Sequence, residues 1–430
     1  MSRELNDKQI FLRKIAVWIL RVLTGCVFIL SGWAKCIDIQ GFCIKTGEYL
    51  NAMGLEFPSE IVLMGATLLS VFEFVVGVCV ASGSLRRLSV WCALGLMSVM
   101  LPLSVWLVVS DPVSDCGCFG DLLVLSNGAT FAKNIVLTAL LVVLLFINGE
   151  APPLFSPGVQ WLVIAVSCVY SLYIGWIGYQ VQPLVDFRPY KEGTKLYSIE
   201  DEPEEEYIYS KDGVEKAFSL EMLPDSTWTY IRTEIPEYDG DNRITVSSGD
   251  GEDMTQEFAE IVNESPEMLL LVVSDPENQF LTRTHYLQDL HTYLENSGVG
   301  MYALVGGDQA TYERWKKLTH PNFPSYMAED TSLKILVRGI SGLVFLKEGT
   351  IQWKRTLGSL NADFPYSDEP ASEALDALSH KPYRRDIRVL SAVWFLSLAL
   401  IFFLGRSPGM VASFARGFSP QKKFAEKKEK

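Results

Sequence analysis

The stretch Asp115-Cys116-Gly117-Cys118-Phe119-Gly120-Asp121 separates two apolar runs of the sequence, each long enough to cross a lipid bilayer. Two cysteines one residue apart, flanked by glycines and carboxylates, are unusual at the edge of a membrane. A disulfide between them would close a tight and strained ring, and strained, exposed disulfides are typically the catalytic or labile ones. We therefore expect the chemistry of this protein to take place at this loop.

The residues alone leave three interpretations of Cys116 and Cys118 open. The pair exchanges electrons with other thiols, or it forms a structural disulfide with another loop, or its thiols are inert or bind a metal. The carboxylates of Asp111, Asp115 and Asp121 would raise the pKa of both thiols, so an activated thiolate is not required by the sequence. We favour redox exchange.

The composition indicates a membrane protein with an acidic soluble insert. Hydrophobic residues make up 49% of the chain and the mean hydropathy is +0.18. Residues 12–180 are mostly apolar, whereas residues 186–386 carry most of the carboxylates behind the net charge of −14. Lipid is therefore an expected partner. No basic surface suggests nucleic acid, which we exclude as a partner.

The cysteines all lie in the apolar part of the chain, and none is in the soluble insert. A small secreted domain held together by disulfides would show the reverse distribution. The residues concerned are Cys26, Cys36, Cys43, Cys79, Cys92, Cys116, Cys118 and Cys168. The largely polar start of the sequence lacks a cleavable signal pattern, so we expect the first apolar run to remain as a span.

Hydropathy predicts six transmembrane helices, because a span needs roughly 20 apolar residues. The predicted spans are 15–34, 61–82, 88–109, 131–148, 161–180 and 388–404. The positive-inside rule places both termini in the cytoplasm. Loops 35–60 and 110–130 and the acidic segment 181–387 then face outward.

The first four spans have short connections and are predicted to pack as a four-helix bundle. Close approach of the helices is expected at small residues, namely Gly25, Gly32, Gly77, Gly83 and Gly95. Arg21 in the first span can extend toward the interface if it lies near one end of that span. Glu73 in the second span needs a partner, for which Lys35 and Asn134 are candidates, and its role is either functional or structural.

The soluble insert follows the element order of thioredoxin from residue 266 onward. Its expected order is strand 268–273, helix 282–295, strand 300–305, helix 309–318, strands 343–346 and 351–354, and helix 371–378. Upstream, residues 206–209 and 217–220 are predicted to pair as a hairpin. A strand at 243–247 and a helix near 255–263 are expected to follow the hairpin.

The thioredoxin-like part lacks the sulfur chemistry of that fold. Thioredoxins carry Cys-x-x-Cys after the first strand of this order, where this chain reads Ser274-Asp275-Pro276-Glu277-Asn278. The usual proline before the hairpin is replaced by Ile340-Ser341-Gly342. The insert is therefore predicted to be a recognition module without dithiol activity.

Other site chemistries lack support in the sequence. The four histidines lie apart from the cysteines, and we predict no metal site. No phosphate-binding loop, catalytic triad or dinucleotide fingerprint appears, so no cofactor is predicted. A quinone stays an open alternative without a motif of its own.

Four stretches carry a resemblance to the DoxX/MauE-type membrane proteins. They are Arg21-x-x-x-Gly25-x-x-Phe28-Ile29-x-Ser31-Gly32-x-x-Lys35-x-x-Asp38, Phe72-Glu73-x-x-x-Gly77, Asp115-Cys116-Gly117-Cys118-Phe119-Gly120-Asp121 and Lys133-Asn134. The resemblance covers residues of about 12–150. The longer arrangement, with an outward thioredoxin-like insert between the fifth and sixth spans, resembles a Bacteroidetes-type version. The family is linked to methylamine utilisation, where the resemblance implies help with disulfide formation in a periplasmic enzyme subunit.

From this resemblance and the residues together we expect a thiol–disulfide oxidoreductase or electron conduit in the bacterial inner membrane. Its partners would be a periplasmic client or a redox protein. The predicted site residues are Cys116, Cys118, Cys36 and Cys43, supported by Glu73, Lys35, Ser31 and Asn134. The alternative is a non-catalytic envelope scaffold that binds a partner through its insert.

The expected fold class is an α-helical membrane protein, a four-helix bundle with two further spans, carrying an α/β thioredoxin-like insert. The expected parts are a bundle in 1–150, a fifth span in 151–185, an acidic segment with hairpins in 186–265, the thioredoxin-like domain in 266–380, and the last span with a basic tail in 381–430.

Overall fold

A computed structural model gives the structure of the protein. It describes residues 7–55, 57–110, 117–123, 125–180, 182–183, 186, 188–197, 206–211, 214–218, 224, 228–234, 244–279, 283–360, 363–366, 368–379 and 382–406. The chain divides into two compact units. The first, the membrane unit, comprises Met1–Phe187 and Lys381–Lys430, and the second, the soluble unit, comprises Arg188–His380.

The membrane unit is helical. Its helices are α1 (Asp7–Ile37), α2 (Ile39–Ala52), α3 (Ser59–Ser82), α4 (Arg86–Ser110), α5 (Asn127–Ile147), α6 (Gln160–Gln180) and α12 (Pro382–Arg406). Except for α2, each of these helices is long and apolar enough to cross a membrane. The six predicted spans are therefore confirmed.

Helices α1, α3, α4 and α5 form the predicted bundle, since α1 contacts α3 and α5 while α4 also contacts both. Glycines bring α1 and α3 together: a Cβ added to Gly25 would lie 2.6 Å from Ala81, and one added to Gly32 would lie 2.5 Å from the backbone nitrogen of Phe74. The same prediction is wrong for Gly95, which has open space around it. A further helix, α6, packs against α1 and α3, and α12 packs against α6.

The predicted loop 35–60 contains a helix, α2, that hydropathy did not reveal because it is too short to span. The Asp38 side chain caps it by accepting a hydrogen bond of 2.9 Å from the Gly41 backbone nitrogen. Ile39 and Phe42 bury their side chains against Ala66 of α3. The helix thus lies on the bundle, and interpreting this segment as a loop was incorrect.

The soluble unit begins with a three-stranded antiparallel sheet. Its strands are β1 (Glu206–Lys211), β2 (Val214–Phe218) and β3 (Thr229–Glu234), in the order β2-β1-β3. The predicted hairpin is present as β1 and β2. The third strand was not predicted, and its Tyr230 ring packs edge-on against the Tyr209 ring of β1 with the centroids 5.6 Å apart.

A six-stranded mixed sheet forms the core of the soluble unit. Its strands are β4 (Val246–Ser247), β5 (Glu267–Val273), β6 (Gly300–Val305), β7 (Ser325–Ala328), β8 (Ser341–Lys347) and β9 (Thr350–Thr356), in the order β4-β7-β6-β5-β8-β9. Strands β5, β6 and β7 are parallel, whereas β4, β8 and β9 join antiparallel to their neighbours. The helices of the unit are α7 (Thr255–Glu264), α8 (Thr284–Asn296), α9 (Gln309–Thr319), α10 (Asp330–Leu336) and α11 (Ala371–Ala377).

Strand β5 is the centre of this sheet and is buried on both faces. Leu269, Leu271 and Val273 belong to one core cluster, while the alternate residues of the strand belong to the other. Such a continuous apolar run is typical of a strand covered on both sides. The unit has the predicted thioredoxin-like α/β arrangement. Strand β7 and helix α10 are additions that the sequence pattern did not predict.

Candidate functional site

A small cavity of about 20 Å³, with room for about one water molecule, lies within the bundle. Its polar lining consists of Ser31, Lys35, Glu73, Cys118, Lys133 and Asn134. Its apolar lining consists of Val27, Phe28, Leu96, Met97, Met100 and Leu137. Five predicted site residues, Ser31, Lys35, Glu73, Cys118 and Asn134, therefore come together around one space.

Glu73 forms an ion pair with Lys35 inside the bundle. The Lys35 Nζ atom lies 2.6 Å from Oε2 of Glu73, and the side chains are only 2% and 9% exposed. The ammonium group also lies 4.8 Å from the centroid of the Phe42 ring, which α2 places over it. Lys35, the first of the two predicted candidates, is thus the partner of Glu73.

The turn that carries Cys118 is fixed to α1. Ser31 donates a hydrogen bond of 2.5 Å from its hydroxyl to the Cys118 carbonyl oxygen. Gly117 and Gly120 adopt φ of +59° and +54°, a region that favours glycine, and the Gly120 nitrogen donates to the Gly117 carbonyl at 3.0 Å. Because Ser31 and Lys35 are one helical turn apart, the serine contact places the turn on the helix face that holds the ion pair.

Helix α5 closes the cavity with two neighbouring polar residues. Asn134 is buried, and its side-chain nitrogen donates to the Met100 carbonyl of α4 at 3.5 Å. Lys133 points its ammonium group at the Phe119 ring, with 4.6 Å between Nζ and the ring centroid. In the sequence, Lys133 stands out only as part of the family resemblance. The signal that could have identified it is a basic residue in the second turn of a span that begins beside the cysteine loop.

Helix α2 covers the end of the bundle next to the cysteine turn. Its Tyr49 packs with Leu107 of α4 in a small apolar cluster that also takes in Cys118. The Cys118 residue is therefore half-buried rather than fully open to solvent. Sequence reasoning missed Tyr49, because an aromatic residue in an apparent loop carries no pattern of its own.

The remaining predicted cysteines do not line the cavity. Cys36 is buried in an apolar cluster with Phe74 and Tyr170, and it is a free thiol. Cys43 is a half-buried free thiol on α2, and burial raises the pKa of its thiol above the usual 9.0. A thiol with a raised pKa is a weak nucleophile at neutral pH. Cys116 lies outside the residues that the structure describes, so the predicted pairing of Cys116 with Cys118 stays a prediction.

Arg21 reaches the connection between α5 and α6 and is enclosed there, while its extension to the membrane interface stays a prediction. The side chain is fully buried and donates hydrogen bonds of 2.8 to 3.0 Å to Oδ1 and the carbonyl of Asn148 and to the carbonyls of Ala151 and Pro152. Gly83, with φ of +67°, leaves the space that its guanidinium group occupies. The guanidinium group satisfies carbonyls beyond the end of α5, which explains its burial.

In the soluble unit, the position that carries Cys-x-x-Cys in thioredoxins forms a closed turn after β5. The Ser274 hydroxyl donates to the Gly339 carbonyl at 2.5 Å, and its backbone nitrogen donates to the Ile340 carbonyl at 3.1 Å. The Asp275 carboxylate accepts hydrogen bonds from the backbone nitrogen of Asn278 at 3.2 Å and from the side-chain nitrogen of Asn278 at 2.8 Å. This turn has no sulfur and uses its polar groups within the unit.

Metal-ligating side chains are scattered in the described part of the chain. Among those residues, no group of three or more His, Cys, Asp or Glu side chains is placed to hold a metal ion.

Two family models match parts of the chain. Residues 13–147 match the model described as "Methylamine utilisation protein MauE". Residues 204–235, which contain the three-stranded sheet, match the model described as "Domain of unknown function (DUF8463)".

The chain is also similar to a curated protein. Protein TlpB of Flavobacterium psychrophilum is 29% identical over 134 residues, which is 30% of this chain and 36% of that protein. The chain thus spans about a third of the length of that relative. Residues 13–147, which include the bundle helices, are thus similar to MauE-type membrane proteins.

Proposed function

We propose that this multi-pass membrane protein supports thiol–disulfide exchange in the maturation of proteins outside the cytoplasm. The observation that carries the proposal is the position of Cys118. Its turn is bound by Ser31 at the cavity that holds the Lys35–Glu73 ion pair. A buried ion pair in a membrane is costly and commonly functional, and here it lies beside a cysteine.

The proposed reaction is exchange of one disulfide between the loop and a partner protein. A partner thiolate attacks one sulfur of a Cys116–Cys118 disulfide, and the loop disulfide breaks as a mixed disulfide forms. The second partner thiol then displaces the remaining loop sulfur. The partner leaves as a disulfide, and two electrons and two protons pass to the loop cysteines. Run in reverse, the same steps reduce the partner, and neither direction requires a bound cofactor.

The charge pattern supports the proposed location. Basic residues near the ends of the spans favour a bacterial inner-membrane protein with cytoplasmic termini. The cysteine loop and the soluble unit would then share the periplasmic side. The partners would be lipid and a periplasmic client or redox protein.

The other predicted residues have narrower roles in the proposal. Cys36 and Cys43 remain a predicted second pair, although each is a free thiol set in apolar surroundings. The soluble unit would recognise the partner, because its thioredoxin-like turn has no sulfur. Methylamine is not included as a substrate, since the family match covers residues 13–147 and not the soluble unit.

Thiol alkylation in isolated membranes tests the proposal. Membranes prepared with and without reductant are labelled, and the state of each cysteine is read by mass spectrometry. We expect Cys116 and Cys118 to be protected together without reductant and labelled together with it. Cys116→Ser and Cys118→Ser should each alter the redox state of periplasmic thiol proteins. The matched control is Cys26→Ser, since Cys26 is exposed on the outer face of α1.

Trapping a mixed disulfide between the loop and its partner gives the second test. Removing one loop sulfur should leave a mixed disulfide between the other sulfur and the partner, which Cys118→Ala and Cys116→Ala can each reveal on a non-reducing gel. Loop cysteines that stay in one fixed state, together with an unchanged redox state of periplasmic thiols in both serine variants, would refute thiol exchange.

A non-catalytic scaffold is the second candidate, favoured by the cysteine-free soluble unit and its closed Ser274 turn. It predicts that a variant with serine at positions 116 and 118 retains every partner and every phenotype of the unaltered protein. Thiol exchange predicts the loss of both the mixed disulfide and the phenotype.

A further inference from the structure

We propose that Lys133 stabilises the thiolate of Cys118 and thereby makes Cys118, rather than Cys116, the sulfur that attacks a partner disulfide. The inference rests on the proposed function and deepens it by assigning different roles to the two sulfurs. In the reduced loop, the Cys118 thiolate would attack a partner disulfide, whose second sulfur leaves as a thiolate. Cys116 would then displace the partner from Cys118, so that the loop is oxidised to a disulfide and the partner is reduced to a dithiol.

The first argument is position. Phe119 directly follows Cys118, is 9% exposed, and lies with its ring 4.6 Å from the Lys133 Nζ atom. Lys133 and Cys118 also line the same cavity. The Ser31 hydroxyl binds the Cys118 carbonyl, so the turn is held against α1 at this cavity.

The second argument is charge balance around the cavity. The positive charge of Lys35 is offset by Glu73 at 2.6 Å. Lys133, in contrast, forms no ion pair with a carboxylate among the described residues. The described lining therefore has one positive charge in excess, on the residue beside the cysteine turn.

The residues that share the cavity or the apolar cluster with Cys118 are consistent with this role for Lys133. Helix α1 contributes Lys35, α3 contributes Glu73, α5 contributes Lys133 and α2 contributes the phenol of Tyr49. Helix α4 contributes the apolar or aromatic side chains of Leu103, Trp106 and Leu107. The side chains of Asp111, Asp115, Cys116 and Asp121 lie outside the described structure, and their carboxylates would oppose the lysine.

A cation near a half-buried thiol favours the thiolate more strongly than it would in water, because the lower local dielectric screens the attraction less. An opposite charge within several ångström typically lowers a pKa by 1–3 units, so we expect about one unit from a residue on the neighbouring helix.

The test is the pH dependence of alkylation at Cys118. It uses the full chain with Cys116→Ser, reduced, in membrane vesicles, with a water-soluble alkylating reagent and mass spectrometry of the labelled peptide. We expect Lys133→Met and Lys133→Gln each to raise the midpoint pH of the reaction by about one unit. Lys133→Arg keeps the charge and should hold the midpoint within about 0.3 units of the parent value.

Two controls separate charge from folding. Lys45→Met removes another lysine, which is paired with Glu48 at 3.3 Å on α2, and should leave the Cys118 midpoint unchanged. The alkylation midpoint of Cys43 in the Lys133 variants reports whether the bundle has assembled and should equal the value in the parent protein.

The inference is overturned if both neutral variants keep the parent midpoint, or if Lys45→Met shifts it as much as Lys133→Met does. The measurement uses reduced protein without any partner. It therefore separates a failure of this inference from a failure of thiol exchange, which would appear instead as loop cysteines fixed in one redox state in cells.

Discussion

Lys35 on α1 and Glu73 on α3 meet through a contact of 2.6 Å, and both are almost completely shielded from water. Each charge stabilises the other, because removing either would take away a counter-charge at 2.6 Å within the bundle. The Ser31 contact to Cys118 lies one helical turn from this pair. Local stability and the position of the cysteine turn are therefore coupled through α1.

Replacing one partner of the Lys35–Glu73 pair should destabilise the bundle far more than replacing both partners with apolar residues. Glu73→Gln or Lys35→Met leaves one buried charge and should lower the free energy of unfolding by about 3–5 kcal/mol, whereas Lys35→Met combined with Glu73→Met should recover much of the loss. Thermal unfolding in detergent measures this. Glu60→Gln, on the exposed first turn of α3, is the control and should be nearly neutral. A double variant as unstable as the sum of the single variants would contradict the coupling.

The glycines of α1 and α4 offer a matched pair of substitutions. Gly32→Ala places a Cβ 2.5 Å from the Phe74 backbone nitrogen, so α1 and α3 must separate, and we expect a loss of about 1–3 kcal/mol. Gly95→Ala enters open space on α4 and should be neutral or stabilising by up to about 1 kcal/mol through helix propensity. Thermal unfolding of the two variants side by side checks the prediction. Equal effects would show that close packing of α1 on α3 is not what Gly32 provides.

Replacing Arg21 with lysine should destabilise the membrane unit although the charge is kept. The guanidinium group donates four hydrogen bonds from its three nitrogens to three residues, a pattern that one ammonium group cannot reproduce. We expect a loss of about 2–3 kcal/mol, measured by thermal unfolding, and faster amide hydrogen exchange near 148–152. Arg13→Lys, at an exposed ion pair with Glu150, is the control and should have little effect.

The soluble unit should lose stability at high pH through Lys347. Hydrogen bonding to Asp376, with a further contribution from Glu267, raises the pKa of Lys347 above its usual 10.5. Because the folded state holds the proton more tightly, this stabilisation is complete below about pH 10.5 and disappears as the pH rises through the folded-state pKa. Thermal unfolding of the full chain between pH 8 and 11 should show the loss. Lys347→Met should flatten this dependence, and an unchanged slope would contradict the assignment.

Local patterns predicted much of the membrane unit. Each span is recognisable because an apolar run of sufficient length has few alternatives in a bilayer, and Lys35 was foreseen as a partner for Glu73 because a buried carboxylate requires one. The thioredoxin-like order was predictable for a similar reason, since the buried strand Met268–Val273 and the hairpin at 343–354 differ clearly from their surroundings.

The features that sequence reasoning missed depend on contacts between distant parts of the chain. Arg21 is buried because residues 148–152 present carbonyls to it, a relationship that no local window contains. Strand β7 has only four residues and pairs in parallel with β6, so its pattern is too short to recognise. Helix α2 mixes polar and apolar residues and is too short to be recognised as a span. The capping residue Asp38 was the local signal that could have indicated a helix.

Helix α6 packs closely against α1 and α3 of the bundle. A Cβ on Gly178 would collide with the Ile37 carbonyl oxygen, and Cys36 and Phe74 pack with Tyr170 of the same helix. The region that matches the family model ends at residue 147, before α6 begins. A protein cut at that boundary would expose the α1–α3 seam to lipid. The packed membrane unit of this chain thus extends beyond the region that matches the family model.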